Sequence, residues 1–300
     1  MQGKLQLTIY RIYVIGRTLS RLCRLGPITK RTLGPLLAKL VFATGPNGQT
    51  PALVQGHKMV LAPSGRYPSP DMVMDKYEPM TTELFKQYLS GGMAVLDIGA
   101  NIGYFTLLAA REVGPGGLVL AVEPEPQNNL LIKRNALLNG YNNIKIINKA
   151  VGNSVGEGSL FVSSLDNGSH SVNSSAARGV SEELIVNMTT VDRVLEDEEW
   201  PNIDLIKIDV EGAELKVLDG MTSLFCKMPC VKLLIEYCPF LLSASGTDPV
   251  EVIRVLKSYG YSLEFLDETR QQSIPVSTNL DLVTNQLNKS GSYINIFCTK

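Results

Sequence analysis

The sequence predicts an α/β fold: a mostly parallel sheet with helices on both faces, behind a basic helical extension over residues 1–70. Three observations predict it. From residue 93 onward, short apolar runs alternate with stretches of helical spacing, the pattern of β-α-β units. The first of these runs passes directly into a glycine turn and a helix, as at the ligand-binding edge of an open parallel sheet. The charges are also segregated: residues 1–70 carry ten Lys or Arg and no acid, while residues 71–300 hold all 29 acids and sum to −11.

Taken in order, residues 1–44 read as one or two basic helices, broken at Gly26-Pro27 and Gly34-Pro35. Their apolar runs, 5–16 and 33–44, are interrupted by Arg11 and Lys39. Both fall short of the roughly 20 apolar residues that a membrane span needs. Peripheral contact with an anionic surface through a basic amphipathic helix is compatible with this segment; docking on the main domain with solvated charges is the plainer reading. Residues 45–56 read as a turn-rich linker, 57–62 as a short strand and 63–70 as a Pro-rich loop. Residues 81–89 have helical spacing, with Thr81 or Thr82 as cap.

The strands of the main domain are expected at Ala94–Ile98, Leu118–Val122, Ile144–Ile147, 205–210 and 231–235. Helices at 104–112, 127–138 and 213–219 lie between them. A polar insert, 153–178, reads as loop or short hairpin strands over the site, with a further strand at 184–188. The chain ends in a helix Pro249–Ser258, a strand 262–266 and an apolar run 293–297. At 300 residues, 44% hydrophobic and 19% charged, the chain suffices for one large domain plus the extension. The cysteines Cys23, Cys226, Cys230, Cys238 and Cys298 form no metal-like C-x-x-C pair and read as free thiols of a cytoplasmic protein.

Four motifs carry the chemistry. Val95-Leu96-Asp97-Ile98-Gly99-Ala100-Asn101-Ile102-Gly103 is a strand entering a turn whose two glycines allow close backbone approach to a ligand. Its G-x-x-x-G spacing, with Asn101 in the middle, departs from the G-x-G-x-x-G of dinucleotide sites. Glu123, before Pro124 at the end of the next strand, lies 20 residues beyond Gly103, where an acid accepts both ribose hydroxyls of an adenosine. At the third strand's end, Ala150 and its small neighbours leave room for an adenine ring. In Ile203–Glu214, alternation puts Leu205, Lys207, Asp209 and Glu211 on one side of a central strand. A buried lysine needs partners, and Asp97 and Asp209 are placed to supply them. The acids Asp209, Glu211, Glu214 and Glu236 crowd one sheet edge, an arrangement that can tune a base or hold a divalent metal; no metal is assigned.

These residues, with Asn135, Asn139-Gly140, Thr190-Val191-Asp192 and the upstream Tyr77-Glu78-Pro79, resemble the FkbM-type S-adenosylmethionine-dependent methyltransferases over residues 70–240. The resemblance implies a seven-stranded Rossmann-like sheet of the class I methyltransferase type, its last strand antiparallel. It implies methyl transfer to a hydroxyl of a polyketide, sugar or related metabolite. Asp97, Gly99, Asn101 and Gly103 would line the methionine end of the cofactor and Glu123 would hold the ribose, with Glu78, Pro124 and Ala150 on the same side. Asp209 would face the acceptor.

An alcohol is a poor nucleophile, so a base is expected near it. Asp209 and Glu236 are the candidates, with His170 of the insert as a third. Lys207 is expected to orient a carboxylate. Where nitrogen-methylating enzymes offer an aromatic run, this chain has Asp209-Val210-Glu211-Gly212, with nothing to stack a flipped base. That turn and a net charge of −1 point to a hydroxylated small molecule and away from nucleic acid. A nicotinamide-dependent oxidoreductase, a non-catalytic binding module and a membrane-surface adaptor share parts of the same evidence.

Overall fold

In a computed structural model, the described residues are 51–61, 71–72, 75–163, 170–177, 179–268, 270–276, 280, 284, 287 and 292–300. The helices expected over 1–44 and the loop over 63–70 lie outside them. The chain divides into two compact units, 1–75 and 76–300. In the first, β1 (Ala52–Val54) and β2 (His57–Met59) form a hairpin. Gln55 and Gly56 join them with φ of 48° and 83°, the two-residue turn whose twist suits a hairpin. The linker reading of 45–56 missed β1, because three residues are too few to display alternation.

The second unit is built on one large sheet. Its strands are β3 (Ala94–Ile98), β4 (Leu118–Val122), β5 (Ile144–Ile147), β9 (Leu205–Ile208), β10 (Lys232–Tyr237), β11 (Ser262–Asp267), β12 (Gln272–Pro275) and β13 (Ile294–Thr299). Their order is β12-β11-β13-β10-β9-β3-β4-β5. Strands β10, β9, β3, β4 and β5 are parallel, and β13 runs antiparallel between β10 and β11. The seven strands of the expected sheet are therefore present with the last antiparallel. The eighth, β12, is a short hairpin partner of β11 at the edge.

The central strands are apolar on both faces because both are covered. On one face Leu96, Ile98, Leu120, Val122, Ile206, Ile208, Leu233 and Ile235 join the main core. That core includes residues of α4 (Val191–Asp197), α5 (Glu214–Asp219), α6 (Thr222–Lys227) and α8 (Pro249–Ser258). Helix α2 (Tyr104–Val113), with α1 (Pro79–Tyr88) against it, packs on β3 and β4. Helix α3 (Pro126–Asn139) follows β4, capped by the Glu125 carboxylate on the Asn128 N–H and closed by Gly140 at φ 70°. Helix α7 (Pro239–Ala244) follows β10.

The insert is more regular than expected. β6 (Ala150–Val151), β7 (Gly156–Ser163) and β8 (Val180–Thr189) form a separate sheet ordered β6-β8-β7. The strand expected at 184–188 is the inner part of β8.

Two local expectations are corrected. Thr81 and Thr82 lie inside α1, because Pro79 occupies its first turn and Glu78 its cap. Strand β9 ends at Ile208, so the alternation drawn through Asp209 and Glu211 does not apply to them: Glu211 turns with φ 50°. Cys226, Cys230 and Cys298 are free thiols, Cys238 Sγ donates to the Ser292 carbonyl at 3.7 Å, and Cys23 lies outside the described residues. Among the described residues no helix is long and apolar enough to cross a membrane.

Candidate active site

The site forms where β3, β4, β9 and β10 end. After β3, Gly99 takes φ 79° and donates its N–H to the Val122 carbonyl at 2.9 Å. A Cβ at Gly99 would stand 1.8 Å from the Asp209 carbonyl oxygen, so glycine here lets the loop after β9 close against the loop after β3. Asn101, at φ 50°, donates its N–H to Glu123 Oε2 at 2.8 Å. Glu123 Oε1 accepts from the Glu125 N–H at 2.9 Å and from Asn128 Nδ2 at 3.3 Å. Glu123 therefore clamps the glycine turn to the entry of α3, and burial pushes its carboxyl up to about 7. Pro124 lies in the same short connection, and Gly103 caps α2 at φ 94°.

The face of the sheet opposite the main core carries charge. Asp97 and Lys207 are direct neighbours across β3 and β9. Lys207 is 3% exposed; its Nζ lies 2.6 Å from Asp209 Oδ2 and 4.8 Å from the Phe105 ring centroid. Burial works to lower its pKa, but Asp209, Glu78 and Asp97 outweigh it and hold the ammonium charged beyond the usual lysine range. The sequence reading expects Lys207 to orient a carboxylate, and its Nζ sits on that of Asp209. Asp97 accepts from Thr106 Oγ1 at 2.6 Å through Oδ2, and its buried Oδ1 has no partner. Burial raises its pKa, against the pull of Lys207.

Glu78 enters this face from the start of α1. Its backbone sits at φ 40°, and its side chain caps nothing. Glu268, just after β11, does that work: Oε2 accepts from the Met80 N–H at 2.8 Å and Oε1 from the Thr81 N–H at 2.9 Å. The Glu78 carboxylate instead accepts from Asn295 Nδ2 at 2.9 Å through Oε2, while its buried Oε1 has no partner. Burial pushes it up to about 7, opposed by Lys207 and helped by Asp209. Asn295 and Glu268 were not anticipated. The signal for Asn295 was a lone amide inside the apolar run 293–297; Glu268 left none, since its partners lie 187 and 188 residues away.

The last part is a carboxylate corner. Asp209, Glu211 and Glu236 each offer an oxygen within 4.8 Å of the others. At an effective dielectric near 20, carboxylates about 4 Å apart repel by about 4 kcal/mol per pair when ionised. Burial and the charges of Asp209, Glu211 and Glu78 raise the Glu236 pKa well above the usual range. Glu211 at φ 50° and Gly212 at φ 90° fold the turn; a Cβ at Gly212 would meet the Leu241 carbonyl and Ser245 Oγ, both at 2.8 Å. Glu78, Asn101 and Glu211 are all non-glycine residues with positive φ, each costing about 1 kcal/mol or more, a strain typical of binding sites.

The insert returns to this corner through Ser171, whose Oγ donates to the Glu211 carbonyl at 2.9 Å. His170 is held nearby in sequence but its Nδ1 accepts the Ser163 N–H at 3.0 Å, and it is not part of the carboxylate group. Ala150 is buried in the small sheet with Leu160 and Val186.

A family model described as the methyltransferase FkbM domain matches residues 97–263. The chain belongs to that family. This FkbM-domain chain is an S-adenosylmethionine-dependent methyltransferase. It is 25% identical over 181 residues to the hexuronic acid methyltransferase AglP of Haloferax volcanii, covering 60% of this chain and 68% of that protein. It is 40% identical over 72 residues to protein-L-isoaspartate O-methyltransferase 1 of Archaeoglobus fulgidus, covering 24% of this chain and 30% of that one. Among solved structures, the precorrin-6y C5,15-methyltransferase of Geobacter metallireducens aligns with a TM-score of 0.42 at 13% identity, over 74% of this chain and 88% of that one. The FkbM chain's own residues fit the methyl donor. Asp97 Oδ1 and Glu78 Oε1 are buried acceptors without partners, suited to the donor's cationic methionine end.

Proposed function

We propose that this methyltransferase acts on oxygen: a hydroxyl of a small carbohydrate-like metabolite, presented to the corner of Asp209 and Glu236. The observation that carries this reading is the placement of those two carboxylates at the ends of neighbouring strands, with Lys207 fixing one of them at 2.6 Å. S-adenosylmethionine supplies an electrophilic methyl group when bound.

The chain's residues do the rest. Glu123 receives the ribose hydroxyls, Asn101 and the two glycines shape the bed before it, and Asp97 and Glu78 take the cationic end. Asp209, held by Lys207, accepts a hydrogen bond from the acceptor's hydroxyl. Glu236, beside Asp209 at the end of the neighbouring strand, takes its proton. The insert residues from His170 to Ala177 border the acceptor. A sugar or sugar acid is favoured because AglP, named for hexuronic acid, is similar over 60% of this chain.

The test is incubation with S-adenosylmethionine and a panel of hydroxylated sugars and sugar acids, read by S-adenosylhomocysteine release and a 14 Da mass gain, about one methylene. Product with an O-methyl resonance is expected. A methyl group found only on nitrogen in the accepted substrate would overturn the reading.

A further inference from the structure

We propose that a cavity between the small sheet and α5 holds a second sugar unit of the acceptor, so that the acceptor is an oligosaccharide and not a single sugar. The cavity encloses about 180 Å³. Drug-sized ligands occupy sites of about 300 Å³ or more, so the occupant here is small, of the order of one sugar ring. Its walls come from β7, the connection after β6, the end of β8, the insert and α5.

The lining names the class of ligand. Asn153, Ser154, Ser159 and Lys216 line the cavity, and among the described residues none of these four side chains has a hydrogen bond or ion pair within the chain. Glu157 lines it too, without pairing to Lys216. Hydroxyl, amide, ammonium and carboxylate groups left open on one cavity offer donors and acceptors together, the set that a ligand covered in hydroxyls can use. One cation and one carboxylate cancel, which disfavours a multiply charged anion such as phosphate, while Lys216 can still meet a single sugar carboxylate. Val172 and Met188 add apolar surface for the C–H face of a ring. A Cβ at Gly152 would stand 3.2 Å from Met188 Cε, and one at Gly158 would stand 2.9 Å from Met188 Cγ, so glycine at both positions leaves that side chain its place.

Asp209, Glu211 and Glu236 are not among the lining residues, so the cavity is separate from the carboxylate corner, yet two short links tie them. Val172 follows Ser171, whose Oγ donates to the Glu211 carbonyl at 2.9 Å. Lys216 stands on α5, which begins at Glu214, two residues after Gly212. An acceptor that offers its hydroxyl at the corner and also fills the cavity is longer than one ring. That length rests on the sugar reading of the acceptor; the binding of a sugar unit in the cavity does not.

The experiment titrates the full chain by calorimetry with galacturonic acid and its dimer and trimer, and with glucose and cellobiose as neutral probes. Binding of at least one series is expected, the joined sugars being held about tenfold or more tightly than the single one. Lys216→Ala and Ser159→Trp should each abolish that gain, whereas Lys257→Ala, at an exposed position of α8, should keep it. The melting temperature of each variant reports whether it is folded. No binding of any of these sugars, equal binding of single and joined ones, or a gain that folded Lys216→Ala and Ser159→Trp proteins retain would overturn the cavity's role. Methyl transfer to oxygen stands or falls apart from these results, because it is read from product.

Discussion

Lys207 is the residue on which the site's electrostatics turn. A buried ammonium survives only with partners, and here Asp209, Asp97 and Glu78 outnumber it. Lys207→Met should therefore do more than remove a charge: it leaves buried acids facing one another, destabilising the fold by about 3–5 kcal/mol, as removal of one partner of a buried pair does. Denaturant melts of the purified variant check this, and a loss under 1 kcal/mol would show that the acids are already neutral.

Glycine 99 makes a second residue-scale prediction. With φ 79° and a Cβ that would stand 1.8 Å from the Asp209 carbonyl, Gly99→Ala should cost about 3 kcal/mol or more. Gly91→Ala, which meets nothing within 4 Å, should cost under about 0.5 kcal/mol in the same assay. At this scale the sequence was informative wherever chemistry-bearing residues lay at strand ends. Gly99, Glu123, Lys207, Asp209 and Glu236 could all be picked out, because a parallel sheet gathers such positions on one edge. What Gly99 approaches could not be picked out: its close neighbour is the chain's own backbone at Asp209.

At the scale of elements, α1 depends on distant side chains. Its first N–H groups are met by Glu268 and its cap residue by Asn295, across more than 180 residues of sequence. Glu268→Ala should destabilise by about 1–2 kcal/mol through the lost cap interactions, with little effect on the sheet. Hydrogen exchange should report it as faster exchange confined to Met80–Thr82.

Long periodic elements were legible. Helix α8 falls at Pro249–Ser258 as expected, and β3 to β5 at their expected bounds. Elements fixed by tertiary bonding were not: the cap of α1, the three-residue β1, and the end of β9, where alternation was carried past a turn that sequence alone does not announce.

For the whole molecule, the buried acids set a pH dependence. Glu78 and Glu123 are each raised from 4.5 to about 7, the first facing Lys207, Asp209, Asn295 and Glu268, the second facing Asn101, Glu125 and Asn128. For an acid whose folded pKa is raised, the stabilising contribution is full below the unfolded pKa and is lost as pH climbs through the folded one. Without cofactor, stability should therefore fall between about pH 5 and pH 8, by up to about 3 kcal/mol per group. Melting temperature against pH checks the sign, and Glu78→Gln should flatten the slope. Saturating S-adenosylmethionine should also restore stability at pH 8, because a cation facing Glu78 and Asp97 favours their charged forms.

In the proposed division of labour across the sheet edge, the glycine turn and Glu123 serve the cofactor and Asp209 the acceptor. The most direct test is calorimetric titration of S-adenosylmethionine alongside turnover on an accepted sugar, for Asp209→Asn and Glu123→Gln in parallel. Asp209→Asn should keep cofactor affinity within about threefold and lose about 100-fold or more in turnover, and Glu123→Gln should weaken cofactor binding at least tenfold. Near-normal turnover in Asp209→Asn, or equal loss of cofactor binding in both variants, would contradict it.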